Sequence, residues 1–471
     1  MFRIIRRNDF FKNIQQIGNV QTRTLTEKHR MFYNNYESIY VADNKSIHLL
    51  KDYWQGIKQI GIIGWGSQGP AQAQNIRDSL YKIQLDIPIK IGLRPGSSSI
   101  KESKKLGFEV DNIENVLGSS DLNLLLTSDS SQAENYKYFF SCLKAGSTLG
   151  LSHGFLLGHL KNIRKNFPDN NVVMVAPKGM GPSVRKLYLE GKGINSSYAV
   201  ERASNKNAKN IALGWALAIG SPQIFETSME NEYISDIFGE RAILLGGIHG
   251  LVEYLFRQYS VEYSFYDSYN RSVTYLVDDL SKNISNNGLL SVYLGFDDNE
   301  RSVFSEFYTK GYNISKPLFE EIYNEVKSGN EIRSVILNGK REIGNISKSR
   351  MWRGEKDVKY IKNTKDARTA GLYIGCMMAQ IDILIDNNHN YSEIVNESII
   401  EAVDSLNPYM SEKGISHMID NCSTTARIGA RKWASRLDYL FEQNMNSLYN
   451  SKIDDFVNHP IHGIYKQIRE I

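Results

Sequence analysis

Gln59-Ile-Gly-Ile-Ile-Gly-Trp-Gly-Ser-Gln-Gly-Pro70 is the stretch on which the fold turns. A short apolar run, Gln59–Ile63, ends in Gly64-Trp65-Gly66-Ser67-Gln68-Gly69. Pro70 then suits the first turn of a helix, where its missing N–H costs nothing. A GxGxxG between a strand and a helix lets the backbone turn tightly and approach a pyrophosphate, whose charge sits at the helix N-terminus. Working outward, further short apolar runs alternate with helical segments: Ile89–Leu93, Leu122–Leu126, Thr148–Leu151, Val172–Ala176 and Tyr198–Val200. That alternation predicts parallel βαβ units, hence an α/β, Rossmann-like, doubly wound sheet over residues 41–230.

After about residue 230 the pattern changes to long helical periods: Arg241–Tyr259, Val273–Ile284, Pro317–Lys327, Thr369–Asp386 and Tyr391–Leu406. Residues 231–471 are therefore expected to form an all-α domain. It carries the marks of a degenerate internal duplication. Gly250-Leu-Val-Glu-Tyr-Leu255 resembles Ala379-Gln-Ile-Asp-Ile-Leu384 at an offset of 129, and Asn270-Arg-Ser-Val273 resembles Asn396-Glu-Ser-Ile399 at an offset of 126.

The net charge of +4 is concentrated at the start. Residues 1–30 hold seven basic and two acidic side chains, which leaves 49 basic and 50 acidic in the remainder. A near-neutral body predicts no nucleic-acid partner. The basic start, with apolar side chains between the arginines, reads as an organelle-targeting segment over residues 1–40. No serine precedes Ser38, which favours a mitochondrion, with a plastid as the alternative. The three cysteines, Cys142, Cys376 and Cys422, fit neither a disulfide framework nor a zinc site. The longest apolar stretch, Leu372 to Ile385, is short and contains Asp382, so no membrane span is expected.

The end of the second strand run reads Leu93-Arg-Pro-Gly-Ser-Ser-Ser99, with no carboxylate to accept from a ribose 2′-hydroxyl. Arg94 and the serine hydroxyls can instead grip a 2′-phosphate, which predicts NADPH. In the helical half two acidic pairs recur at the same spacing, Asp236 with Glu240 and Glu397 with Glu401. Spacing of four places each pair on one helical face. Their mutual repulsion needs solvent or a cation, and an all-oxygen set without His or Cys suits Mg²⁺, one ion or two. His153 and Lys178 each follow a strand run, where open α/β sheets bind ligands.

At these residues the chain resembles the plant-type long form of ketol-acid reductoisomerase. The likeness is carried by Ile63-Gly-Trp-Gly-Ser-Gln68, Gly150-Leu-Ser-His-Gly-Phe155, Pro177-Lys-Gly-Met-Gly-Pro-Ser183, Ser235-Asp-Ile-Phe-Gly-Glu-Arg241 and Asp420-Asn-Cys-Ser-Thr-Thr-Ala426. The resemblance implies that Asp236 bridges two Mg²⁺ ions and Glu240 ligates one, with Glu397 and Glu401 completing the site. It implies that His153 and Lys178 line the reaction pocket and Ser423 holds the substrate carboxylate. Arg94, Ser97 and Ser99 would hold the 2′-phosphate, and Ser128 would also touch the cofactor. The substrates would be 2-acetolactate or 2-aceto-2-hydroxybutyrate, small molecules of valine and isoleucine biosynthesis, and a homo-oligomer, a dimer, is expected. By the two repeat offsets, Asp236 and Glu240 map onto Lys365 and Thr369, while Glu397 and Glu401 map onto Arg271 and Tyr275. Each repeat would then keep one acidic pair. The rival readings are a metal-free β-hydroxyacid dehydrogenase, which leaves the two acidic pairs idle, and a non-catalytic NADPH-binding protein, which the loss of a metal-binding carboxylate would favour, whereas all four are present.

Overall fold

The computed structural model describes residues 25–33, 35–339, 341, 344–354 and 365–471. Its N-terminal half is built on a ten-stranded sheet. Six strands are parallel, in the order β5 (Glu109–Asp111), β4 (Ile89–Gly92), β3 (Ile60–Ile63), β6 (Leu122–Leu125), β7 (Thr148–Leu151) and β8 (Asn171–Pro177). The strand order reverses at β3, so the crevice between the C-terminal ends of β3 and β6 is where such a sheet takes its ligand. β3 and β6 are buried at every residue, as strands covered by helices on both faces must be.

Beyond β8 the sheet departs from the expected parallel pattern. The run read around Tyr198–Val200 is β9 (Ser196–Arg202), and it pairs antiparallel to β8. β10 (Gln223–Glu226) lies parallel to β9, and β2 (Asn35–Val41) and β1 (Thr26–Phe32) close that edge antiparallel. β1 and β2 correct the expectation that the targeting segment reaches residue 40. From Thr26 onward the chain is part of the sheet, with Phe32, Ile39 and Tyr40 in the core. β1 escaped notice because five of its seven residues are exposed, so it has no apolar alternation; Lys28 and Arg30 are the charges an exposed edge carries.

The last strand ends at Glu226, a helix begins at Met229, and no strand follows among the described residues. Four expected helices change shape, among them Val273–Ile284, which is mostly π-helix up to Leu280 and α-helix from Ser281. The run at Arg241–Tyr259 is the end of one helix (Met229–Arg241), a break at Ala242, a π-helical turn (Ile243–Gly247) and a second helix (Ile248–Tyr259). Pro317 does not open a helix; it lies inside the 30-residue helix Asp298–Lys327. The run at Tyr391–Leu406 is one turn of α-helix followed by a π-helix over Asn396–Leu406. The helix Ala367–Asp386 is long and apolar enough to cross a membrane, but 83% of its most apolar window is buried inside the protein.

The proposed duplication has structural counterparts. At the offset of 126, π-helix occurs in both places: Asn270–Thr274 and Leu276–Leu280, and Asn396–Leu406. Asn270 donates its side-chain amide to the Tyr266 carbonyl at 2.9 Å, and Asn396 donates to the Ser392 carbonyl at 2.8 Å.

Candidate active site

The glycine loop joins β3 to the helix Gly69–Lys82. Gly64 has φ +106°, and a Cβ there would lie 2.8 Å from the Leu126 carbonyl oxygen. Gly66 has nothing within 4 Å of its would-be Cβ, so its backbone faces open space. That space is a cavity of about 790 Å³ running from the glycine loop to the helical domain. Gly66, Ser67, Gln68, Ser128, His153, Asp236, Glu240, Glu401 and Ser423 all stand on its wall. Trp65 does not: its indole packs into the core, edge-on to Phe108 at 5.5 Å, so only its backbone serves the loop. Arg94, Ser97 and Ser99 occupy the turn after β4, next to β3, with Arg94 exposed. The Ser97 amide donates to the Arg94 carbonyl at 3.2 Å, and the Ser99 amide donates to the Ser97 hydroxyl at 3.3 Å. Among the described residues no acidic side chain pairs with Arg94.

Across the cavity, Asp236 and Glu240 project from the helix Met229–Arg241, and Glu397 and Glu401 from the π-helix. Oxygen atoms of Asp236, Glu397 and Glu401 lie within 4.8 Å of one another. The same helix supplies a carboxylate that sequence reasoning missed, Glu232, four residues before Asp236. Glu232 accepts the Gly154 amide at 2.7 Å, stands 3.2 Å from His153 Nδ1 and 3.5 Å from Lys178 Nζ, and is almost wholly buried. Its spacing was a legible signal, since Glu232, Asp236 and Glu240 repeat every four residues along one face. Lys178 is buried behind the cavity wall and forms an ion pair with Glu397. His153 Nδ1 also lies 3.4 Å from Asp236.

The electrostatics follow from this packing. Burial favours the neutral form of Glu240, Asp236 adds repulsion, and the carboxyl is pushed up to about 8. Glu397 is likewise pushed to about 8, with burial outweighing the attraction of Lys178. Burial, then Glu397 and Asp236, raise Glu401 well above the carboxylate range. Burial would lower His153 and Lys178, but Glu232 and Asp236 for the first, and Glu397 and Glu232 for the second, override it and hold both as cations. Three cations thus face five carboxylates: His153, Lys178, and Arg241, whose Nη1 lies 3.4 Å from Glu240. Glu397 Oε2 and Glu401 Oε2 are buried and accept no hydrogen bond. Hard oxygens without donors, in a cluster short of positive charge, fit divalent magnesium.

At the positions that the repeat offsets pair with the acids, other contacts stand. Thr369 donates its hydroxyl to the Arg271 carbonyl at 3.0 Å, and the Arg271 guanidinium pairs with Asp366 at 3.0 Å. Tyr275 also neighbours Asp366. Three of the four positions that the offsets pair with the acids, Thr369, Arg271 and Tyr275, therefore lie together around Asp366. Lys365 is exposed and points to the Gly295 carbonyl instead.

Comparison with known proteins agrees with this arrangement. The family model for acetohydroxy acid isomeroreductase, NADPH-binding domain, matches residues 55–224, and that for ketol-acid reductoisomerase, C-terminal domain, matches residues 229–371. The chain is 46% identical to chloroplastic ketol-acid reductoisomerase of Pisum sativum, over 94% of this chain and 83% of that one. It is 32% identical to the mitochondrial enzyme of Saccharomyces cerevisiae, over 70% of this chain and 86% of that one. A solved NADH-preferring ketol-acid reductoisomerase from an uncultured archean superposes with a TM-score of 0.56 at 26% identity, covering 71% of this chain and 98% of that one. With both halves matched and a relative this similar over nearly its whole length, the chain belongs to the ketol-acid reductoisomerase family.

Proposed function

We propose that this protein converts 2-acetolactate or 2-aceto-2-hydroxybutyrate to the 2,3-dihydroxy acid, with NADPH as reductant and magnesium held by Asp236, Glu240, Glu397 and Glu401. The observation that carries this reading is one cavity with a dinucleotide loop at one end and, at the other, Asp236, Glu240 and Glu401, the last with a buried oxygen that accepts no hydrogen bond. Bound to these acids, divalent cations supply polarisation of vicinal oxygens, which both the alkyl shift and the hydride transfer require. Glu232 anchors the two protein cations, His153 and Lys178, on one buried carboxylate. Lys178 offsets the charge of Glu397, and His153 beside Asp236 can hold or release a proton at the substrate. Ser423 caps the helix Thr424–Asn444, its hydroxyl accepting the Ala426 amide at 3.0 Å. The Thr424 and Thr425 amides that precede it in the first turn are left for the substrate carboxylate.

Relatives named for NADP(+) and for NAD(+) both exist, so the nucleotide follows from this chain's own turn after β4. With Arg94 free to pair and no acid in that turn, NADPH should be used at least about tenfold more efficiently than NADH, a difference of about 1.4 kcal/mol. Initial rates of nucleotide oxidation with 2-acetolactate, with and without Mg²⁺, check both claims together. Arg94→Ala with Ser97→Ala should erase most of the gap. Equal efficiency with the two nucleotides in the unmutated protein refutes the nucleotide assignment, and no Mg²⁺-dependent oxidation refutes the function.

A pH dependence follows from the raised carboxyls. Metal-free, Glu240 and Glu397 keep protons up to about pH 8 that an unfolded chain loses near its ordinary 4.5. The folded state then binds more protons than the unfolded one between those values, so metal-free stability falls as pH rises across them. Mg²⁺ needs the ionised form and must expel those protons, so its binding tightens with pH up to about tenfold per unit for each proton released. The rise in melting temperature produced by Mg²⁺ should be clearly larger at pH 8.5 than at pH 6. An equal rise at both pH values removes the carboxylates from the binding reaction.

The chloroplastic and mitochondrial names among its relatives support an organelle as the compartment. The serine-free basic start favours the mitochondrion. A homodimer is the proposed assembly, although Asp236, Glu397 and Glu401 converge within one chain and need no partner for that.

A further inference from the structure

The two acidic pairs arrive on separate helices, 161 residues apart in sequence between Asp236 and Glu397. Oxygens of Asp236, Glu397 and Glu401 meet within 4.8 Å across the gap between them, so the contacts that join the two helices set the spacing of the acids. Glu393 stands at that junction. It lies four residues before Glu397, on the same face, and is completely buried. Its Oε1 accepts the Ser235 hydroxyl at 2.5 Å, and its Oε2 accepts the Thr227 hydroxyl at 2.7 Å. Ser235 immediately precedes Asp236 on the other acidic helix, and Thr227 precedes that helix's first turn. On its third side Glu393 lies 3.0 Å from His389 Nδ1, and His389 Nε2 lies 2.9 Å from the Tyr323 hydroxyl. The Tyr323 ring stands edge-on to Phe238 at 5.4 Å, which returns the network to the helix Met229–Arg241.

We infer that Glu393 is a positioning residue that cross-links the two carboxylate-bearing helices and sets the distance between the two acidic pairs. It touches neither the cavity nor the nucleotide loop. Its influence runs through the placement of Asp236 and Glu397, and so through how well the pairs act together on a cation. The inference rests on the metal reading above.

The test uses the full chain with Mn²⁺ as the probe, its free concentration read by electron paramagnetic resonance, and NADPH binding read by fluorescence. Glu393→Ala should weaken Mn²⁺ binding at least about tenfold and leave NADPH affinity within about twofold, because the nucleotide loop sits on a different domain. Ser235→Ala should weaken Mn²⁺ binding in the unmutated background and add nothing in the Glu393→Ala background, since both changes break the same link. A residue that merely supports the fold would lower both affinities together and give additive effects. Should Glu393→Ala fail to fold, Thr227→Val with Ser235→Ala removes the same two bonds while leaving Glu393 paired with His389, and the same split is expected. Unchanged Mn²⁺ affinity in these folded variants overturns the inference alone. No Mn²⁺ binding by the unmutated protein overturns the metal reading and the inference with it.

Discussion

Asp236→Asn eliminates both half-reactions, lowering the rate of each by at least about 10³-fold, or roughly 4 kcal/mol of barrier. Asp236 is the acid that faces everything else in the site. Its oxygens lie within 4.8 Å of those of Glu397 and Glu401, and 3.4 Å from His153. Asparagine keeps the shape and removes the charge, so a shared ligand would be lost without a cavity being made. The isomerisation needs two vicinal oxygens polarised together, and reduction of the resulting 2-keto acid needs the same carbonyl polarised again. Supplying a 3-hydroxy-2-keto acid directly should therefore not rescue the mutant. NADPH binding should persist, because the glycine loop is on the other domain. If Asp236 were only an acid on a solvated face, both rates would stay within about threefold, the usual consequence of a surface substitution. Robust isomerisation by the mutant would show that Asp236 is not common to the two steps.

What the sequence made legible was what local chemistry alone dictates. The turn at Gly64 requires a residue without a Cβ, so the dinucleotide loop is written in the glycines themselves. The acidic pairs were visible because a spacing of four has a geometric meaning whichever helix carries them. Glu232 belonged to the same series and was passed over because nothing local says that it turns toward His153 and Lys178. The roles of Ser423 and Ser128 came through family resemblance; the structure places both on the cavity wall. Strand direction was not legible: β9 runs against β8 because of how the chain returns after the helix Gly181–Leu189, which apolar periodicity does not encode. Nor could periodicity separate α-helix from π-helix at Asn396–Leu406, since the apolar pattern is nearly the same. The basic start was the most misleading feature. Charge was read as a leader through residue 40, whereas Lys28 and Arg30 stand on an exposed edge strand.

A chain beginning at Leu25 should keep full activity, and one beginning at residue 42 should lose at least about a hundredfold or fail to fold. Starting at Leu25 keeps β1 and β2 whole; starting at 42 removes both. That deletion strips Phe32, Ile39 and Tyr40 from the core and uncovers the edge of β10. Full burial of such side chains is worth about 1.5–3 kcal/mol each, and a domain has only about 5–15 kcal/mol to lose. The loss also reaches the active site. Glu37, buried on β2, accepts the amides of Tyr391 and Ser392 at 2.6 and 3.0 Å and the Ser392 hydroxyl at 2.5 Å. Those residues open the helix that runs on into Glu397 and Glu401, so Glu37 is the acceptor for its otherwise unpaired first turn. Glu37→Gln separates this contact from the loss of the strands. It should cost about 1–3 kcal/mol of stability and weaken Mg²⁺ binding, with the sheet intact by circular dichroism. The N-terminus of the protein recovered from its organelle should accordingly lie at or before Leu25. A recovered N-terminus beyond residue 41, or full activity from a chain that starts there, would show that β1, β2 and Glu37 are dispensable to the site.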